Sequence, residues 1–212
     1  MDLRTRVEQL RRHGIGDLPG HAEFMRMSGY KRPAAEEALA NDPGLRTSAV
    51  LILLHEQDDE FRTVLMLRPT YDGIHSGQVS FPGGKREPGD ASLAHTALRE
   101  FAEETGTSTA QVELIGALTP VFIPPSRMLV TPFLAYAARI DPWNPDPVEV
   151  AALIPLPLSD LMRPENLTES RVYVHLLKQH WNVPSFNLQG YSVWGATALM
   201  IAELRTILGR GH

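Results

Sequence analysis

The chain has 212 residues, 43% of them hydrophobic and 21% charged, with a formal net charge of −5. That length supports one domain with additions and a core that needs no covalent staples, while the mild negative charge argues against a broad nucleic-acid or anionic-membrane footprint. The absence of cysteine excludes disulfides, thiolate zinc sites and cysteine nucleophiles; it fits a reducing compartment, and the expected location is the cytoplasm.

No apolar run is long enough to span a bilayer, so no membrane association is expected. The opening stretch MDLRTRVEQLRRHG has no secretory apolar core. Leu3, Val7 and Leu10 recur there at helical spacing and Gly14 supplies a stop, which predicts a docking helix. A stretch punctuated by glycine and proline follows. RPAAEEALANDPG then reads as a short helix ended by Asp42-Pro43-Gly44. Residues 1–46 carry no catalytic pattern and are read as an N-terminal helical extension, a cap or a contact between copies in a homodimer.

From Thr47 the pattern changes. SAVLILL (48–54) and RTVLMLR (62–68) are apolar runs of strand length around the polar turn EQDDE (56–60), the signature of a hairpin. GQVSF (77–81) is a further short strand. SLAHTALREFAEET (92–105) reads as a helix that Asp90 or Ser92 caps and Gly106 stops. VELIGAL (112–118) and LVTPFLAYA (129–137) follow as strands, joined by the loop TPVFIPPSRM, in which Pro124-Pro125 forbids continuous regular structure. The proline-rich region 141–159 feeds a strand and then a short helix near Ser159–Met162. VYVHLL (172–177) is a strand, and WGATALMIAELRTIL (194–208) is a helix with the apolar stripe Ala198, Ile201, Leu204 and Leu208. This order predicts a mixed sheet with helices on both faces.

The chemistry concentrates in the helix 92–105. Glu100, Glu103 and Glu104 share about a third of its circumference, beside a stripe of Leu93, Ala97 and Phe101 that faces the core. Like charges at this spacing repel, and a divalent cation would turn that cost into binding energy. Hard oxygen ligands select Mg2+ or Mn2+. Gly83 and Gly84 let the backbone approach a ligand closely, and a carbonyl there can complete a metal shell. The alternative is a solvated acidic face. His75 and the other histidines form no zinc spacing.

The stretch GGKREPGDASLAHTALREFAEETGT resembles the Nudix box, with Gly84, Arg99, Glu100, Glu103, Glu104 and Gly106 at matching positions. It departs from the pattern in three places. Asp90 stands where glutamate is usual, one extra residue separates it from Arg99, and Thr107 replaces an aliphatic residue. The resemblance implies an α/β/α sandwich over residues 47–212 that hydrolyses nucleoside diphosphates, with Glu100, Glu103, Glu104 and Gly84 holding the metal and Arg99 bracing the helix. One of the glutamates, or a loop carboxylate, takes the proton from the attacking water; Glu149 sits roughly where some family members carry such a base, and an exposed strand-edge glutamate is the favoured reading of it. Upstream, LMLRPTYDGIHSGQVSFPGG (65–84) is similar to the segment of the coenzyme A pyrophosphatase branch, and WGATA (194–198) to a tail feature of that branch. Pro69 and the spacer TYDGI, which lacks a second arginine, depart from it. Arg68, His75, Gln78 and Arg127 are the candidate substrate contacts. For Arg68 an edge-strand surface arginine is the alternative, and for His75 a brace of the turn. The expected substrate is coenzyme A or a derivative; ADP-ribose or another nucleoside diphosphate sugar, and a non-catalytic nucleotide-binding regulator, are the competing readings. RNA-cap hydrolysis lacks the basic, stacking-rich surface it would need.

Overall fold

A computed structural model describes residues 2–28, 33–70, 77–174 and 179–210. Three helices come first: α1 (Leu3–His13), α2 (His21–Arg26) and α3 (Ala35–Asn41). Asp2 caps α1 by accepting from the Thr5 N–H at 2.8 Å, and Gly14 ends it in a positive-φ conformation. The six-residue α2 occupies the stretch that its glycines and proline marked as irregular. It has no side-chain cap, and burial of Phe24 and Met27 in the core is what holds it, a tertiary override of weak local signals.

The sheet follows. Strands β1 (Arg46–Gln57) and β2 (Glu60–Leu67) form the expected hairpin, closed by Asp58 and Asp59 at φ 53° and 60°. β3 (Val79–Ser80) and β4 (Gly83–Lys85) precede helix α4 (Leu93–Thr105). β5 (Glu113–Ala117), β6 (Val121–Ile123), β7 (Met128–Ala137) and β8 (Ala152–Pro157) complete this sheet, and α5 (Leu158–Met162) comes next. Eight strands associate in the order β3-β2-β1-β7-β5, with β4 on β1, β6 on β7 and β8 on β2. β1 and β7 are parallel from Arg46–Met128 to His55–Ala137, and the other pairs are antiparallel. A second sheet contains β9 (Leu167–Val174), β10 (Gln179–Leu188) and β11 (Tyr191–Val193), and helix α6 (Gly195–Gly209) closes the chain.

Alternation along β1 divides the core. Ala49, Leu51 and Leu53 join Ala97 and Phe101 of α4 on one face. Ile52 and Leu54 join α6, α1 and Phe24 on the other. The result is the expected α/β/α sandwich around a mixed sheet. Helix α1 belongs to this packing: Val7 and Leu10 are fully buried in the same cluster as α6. The Arg11 guanidinium lies 3.8 Å over the Tyr136 ring and 3.2 Å from Glu113, while Arg4 pairs with Glu56 at 3.1 Å. Among the described residues no helix is long and apolar enough to cross a membrane.

Three local expectations change. The loop 119–128 contains β6, and Pro124-Pro125 begins a 3-10 turn, where the missing N–H groups are not needed. The strand read at 77–81 shortens to β3, and the two glycines pair with Ala49 and Val50 as β4. The strand read at 172–177 begins at Leu167; residues 175–177 lie outside the described chain, as does His75. β10 and β11 were not anticipated, because Pro184 interrupts an otherwise alternating run. Pro184 is tolerated opposite Glu169, beyond the three residues of β10 that pair with β11.

Candidate active site

Helix α4 starts where Ser92 accepts from the His95 N–H at 3.2 Å and stops at Gly106, which is left-handed at φ 67°. An added Cβ at Gly106 would overlap the Asn144 carbonyl, so the chain after β7 can close over the helix end only with glycine there. Residues Ala97 and Phe101 face the sheet. At 100° per residue Glu104 falls about 20° from Ala97, Glu100 about 60° and Glu103 about 120°. The side chains follow that order: Glu104 is 5% exposed, the Glu100 side chain 17% and the Glu103 side chain 54%. One helix face therefore grades from buried acid to solvent acid.

Strand β4 provides the floor. Glu104 accepts from the Gly83 N–H at 2.6 Å. Burial pushes its carboxyl up to about 7, against the Gly83 bond and the charge of Arg68; the nearby Glu100 and Glu149 push the same way as burial. Glu100 is also raised by burial, with Arg99 opposing. A Cβ on Gly84 would overlap the Glu100 carboxylate, and one on Gly83, whose φ is 155°, would strike the backbone of β1. The two glycines are thus required by close approach: Gly83 to β1, Gly84 to a carboxylate.

Arg99 is the hub of the arrangement. Its Nε and Nη2 donate to the two oxygens of Asp90 at 3.0 and 2.9 Å, and Nη2 also reaches the Lys85 carbonyl at 3.2 Å. Nη1 lies 3.1 Å from Glu100 and 2.9 Å from Glu103. Asp90 also accepts from the Glu87 N–H and the Thr96 hydroxyl, each at 2.9 Å. Arg99 first, then these donors, hold its carboxyl well below the usual range. Asp90 is therefore a buried anchor of the loop on the helix, a role that the sequence reading left open between cap and metal neighbour; Ser92 is the cap. The extra residue before Arg99 leaves this two-pronged pairing intact.

Of the candidate substrate contacts, Arg68 and Gln78 lie together, the Arg68 N–H donating to the Gln78 carbonyl at 3.0 Å, and the charge of Arg68 is felt at Glu104. Glu149 is exposed and close enough to act on Glu104. Arg127 is turned to the extension: its Nε and Nη2 hold Asp42 at 2.8 and 2.5 Å. That pairing had no sequence signal, since Asp42 looked like part of a turn.

The carboxylates present are hard oxygen donors of the kind a divalent cation prefers. Glu104 rests on the Gly83 N–H and Glu100 lies against Gly84, where an added Cβ would overlap its carboxylate, while Glu103 is held by Arg99. Among the described residues no three acidic or histidine side chains converge as a closed metal site. Two carboxylates on the glycine strand fit such an ion in kind, leaving its remaining positions to water, main chain or substrate phosphate.

The NUDIX domain family model matches residues 45–177, and the chain belongs to the Nudix family. It is 35% identical over 144 residues to the mitochondrial coenzyme A diphosphatase NUDT8 of Homo sapiens, covering 66% of this chain and 59% of that protein. It is 33% identical over 180 residues to the mitochondrial Nudix hydrolase 15 of Arabidopsis thaliana, covering 80% of this chain and 62% of that one. The match thus spans about three-fifths of these relatives' length. Among solved structures, a MutT/nudix family protein from Enterococcus faecalis superposes with a TM-score of 0.50 at 15% identity, over 98% of this chain and 75% of that one, a likeness of fold.

Proposed function

We propose that the protein is a divalent-metal-dependent pyrophosphohydrolase, and that it cleaves coenzyme A or an acyl derivative to adenosine 3′,5′-bisphosphate and 4′-phosphopantetheine or its acyl form. The observation that carries the reading is the buried Glu104 on the Gly83 N–H with Glu100 against Gly84. The 35% identity to a coenzyme A diphosphatase supports the choice of substrate.

In the net reaction water adds its oxygen to one phosphorus of the anhydride, and the bridging oxygen leaves with the other. Glu100 and Glu104 would hold the ion, with Glu103 and the Gly84 carbonyl as further donors. A bound Mg2+ or Mn2+ supplies positive charge that offsets charge building on the phosphate oxygens. The Gly83 N–H fixes one oxygen of Glu104, and Arg99 fixes Glu100 and Glu103 through its anchor on Asp90. Glu104 has a carboxyl near 7 without the ion, so at neutral pH it can exchange a proton as well as bind charge. Arg68 supplies a two-pronged donor for phosphate oxygens. The cytoplasm is the proposed location, since no residue of the chain depends on an oxidising compartment.

A chromatographic panel of coenzyme A, acetyl-coenzyme A and ADP-ribose, run with Mg2+ and with Mn2+, tests this. Release of adenosine 3′,5′-bisphosphate from coenzyme A is expected. Turnover of ADP-ribose with none of coenzyme A would remove the substrate proposed, and binding without any product would make the chain a nucleotide-binding regulator.

A further inference from the structure

The second sheet ends on β9. Its inner side pairs with β10 from Leu167–Phe186 to Val174–Gln179; its outer side has no neighbouring strand among the described residues. The direction of its main-chain groups follows from β10. The two residues Gln189 and Gly190, at φ 50° and 84°, turn β10 into β11 with Leu188 opposite Tyr191. The pair that closes such a turn exchanges both its hydrogen bonds. Leu188, and by alternation Phe186 and Pro184, therefore direct their main-chain groups away from β9. Pro184, with no N–H to offer β9, agrees. Their opposites on β9, Leu167 and Glu169, must likewise turn away from β10, and so must Arg171. Leu167 gives its N–H to the Pro164 carbonyl. Glu169 and Arg171 present both groups outward.

The side chains at these positions are exposed. Leu167 is 49% and Tyr173 42% exposed, with the Tyr173 ring on His180 at 5.2 Å. Glu169 and Arg171 make no ion pair or side-chain hydrogen bond among the described residues. We propose that β9 joins two copies of this chain, paired antiparallel about a twofold axis at Ser170. An outward-facing residue must meet an outward-facing residue. The axes that keep most of the strand overlapped then fall at Glu169, Ser170 or Arg171. An axis at Glu169 or Arg171 sets identical charges against each other, which is destabilising. The axis at Ser170 sets each Glu169 against the partner's Arg171 and Leu167 against the partner's Tyr173. Charge alone selects the register. The three-stranded sheet becomes six-stranded, and an edge that would otherwise template open-ended pairing is covered. The homodimer first suggested by the extension moves to this edge, because the apolar side of α1 is buried in its own chain.

Sedimentation of the full chain over a concentration series tests the contact. The wild type should dimerise. Glu169→Arg, which opposes arginine to arginine at both crossings, should weaken dimerisation by about tenfold or more. Arg171→Glu should do the same, and the double exchange Glu169→Arg with Arg171→Glu should restore the dimer, which a misfolded single variant could not do. A wild type monomeric at every concentration, or a dimer indifferent to Glu169→Arg, would overturn the proposal.

Discussion

At the scale of single residues, position on one helix turn sorts three identical side chains into different states. Glu104 shares the core stripe of Ala97 and Phe101, loses water and rises to about 7; Glu103 stays 54% exposed. Glu104→Gln should lower turnover by about a hundredfold or more with the fold retained, as steady-state kinetics alongside circular dichroism would show. Gly84→Ala should displace the Glu100 carboxylate and cost about 1–3 kcal/mol by overpacking, measurable by urea denaturation. His55 is fully buried on β1, its ring 5.8 Å from that of Trp143; burial lowers it from 6.5 to about 4, with the Glu56 backbone opposing. The unfolded chain therefore takes up this proton first, and stability falls as pH drops from 6.5 to 4, by on the order of 3 kcal/mol. Glu104 works in the opposite direction between 7 and 4.5, because the folded chain protonates first. His55→Phe should remove the acid loss, read as a flatter dependence of urea midpoint on pH; an unchanged dependence would show that His55 is not its source.

At the scale of elements, α4 and α6 show what sequence can convey. The stop and inward stripe of α4 were legible because each is a local signal, Gly106 and Ala97 with Phe101, and the cap was narrowed to Asp90 or Ser92, of which Ser92 is the one used. The bracing of α4 was legible only in part, since Asp90 reaches Arg99 across nine residues through a loop whose path spacing alone does not define. On α6 the reading stopped at an apolar stripe. Glu203 lies among those residues, 0% exposed, and accepts from the Gly20 N–H at 3.2 Å, the Thr119 N–H at 3.0 Å and the Thr119 hydroxyl at 2.5 Å. Nothing near Glu203 in sequence names these partners. This carboxylate ties the extension and the chain after β5 to α6. Glu203→Leu would leave three donors unmatched and should destabilise by about 3 kcal/mol or more, a loss that thermal unfolding would register as a lower Tm.

At the scale of the whole molecule, the extension and the sheet share one core, with Val7, Leu10 and Phe24 in the cluster that α6 fills. Deleting residues 1–28 should therefore expose apolar surface and give aggregated protein, detectable by light scattering; a soluble, fully folded remainder would mean that the extension only decorates the sheet. Helix docking was predictable from Leu3, Val7 and Leu10, but its seat was not, because the surfaces it meets come from β1, β2, β5, β7 and α6. The second sheet escaped the reading for a related reason, since Pro184 is a breaker by local rules and acceptable only where no neighbour needs its N–H. The proposed activity rests on two carboxylates, Glu104 on the Gly83 N–H and Glu100 against Gly84. The most direct measurement is the rate of adenosine 3′,5′-bisphosphate release from coenzyme A with Mg2+ for the wild type and for Glu104→Gln at matched thermal stability. Release by the wild type and near-complete loss in the variant is the result predicted; equal rates in the two proteins, or no release by either, would contradict the account.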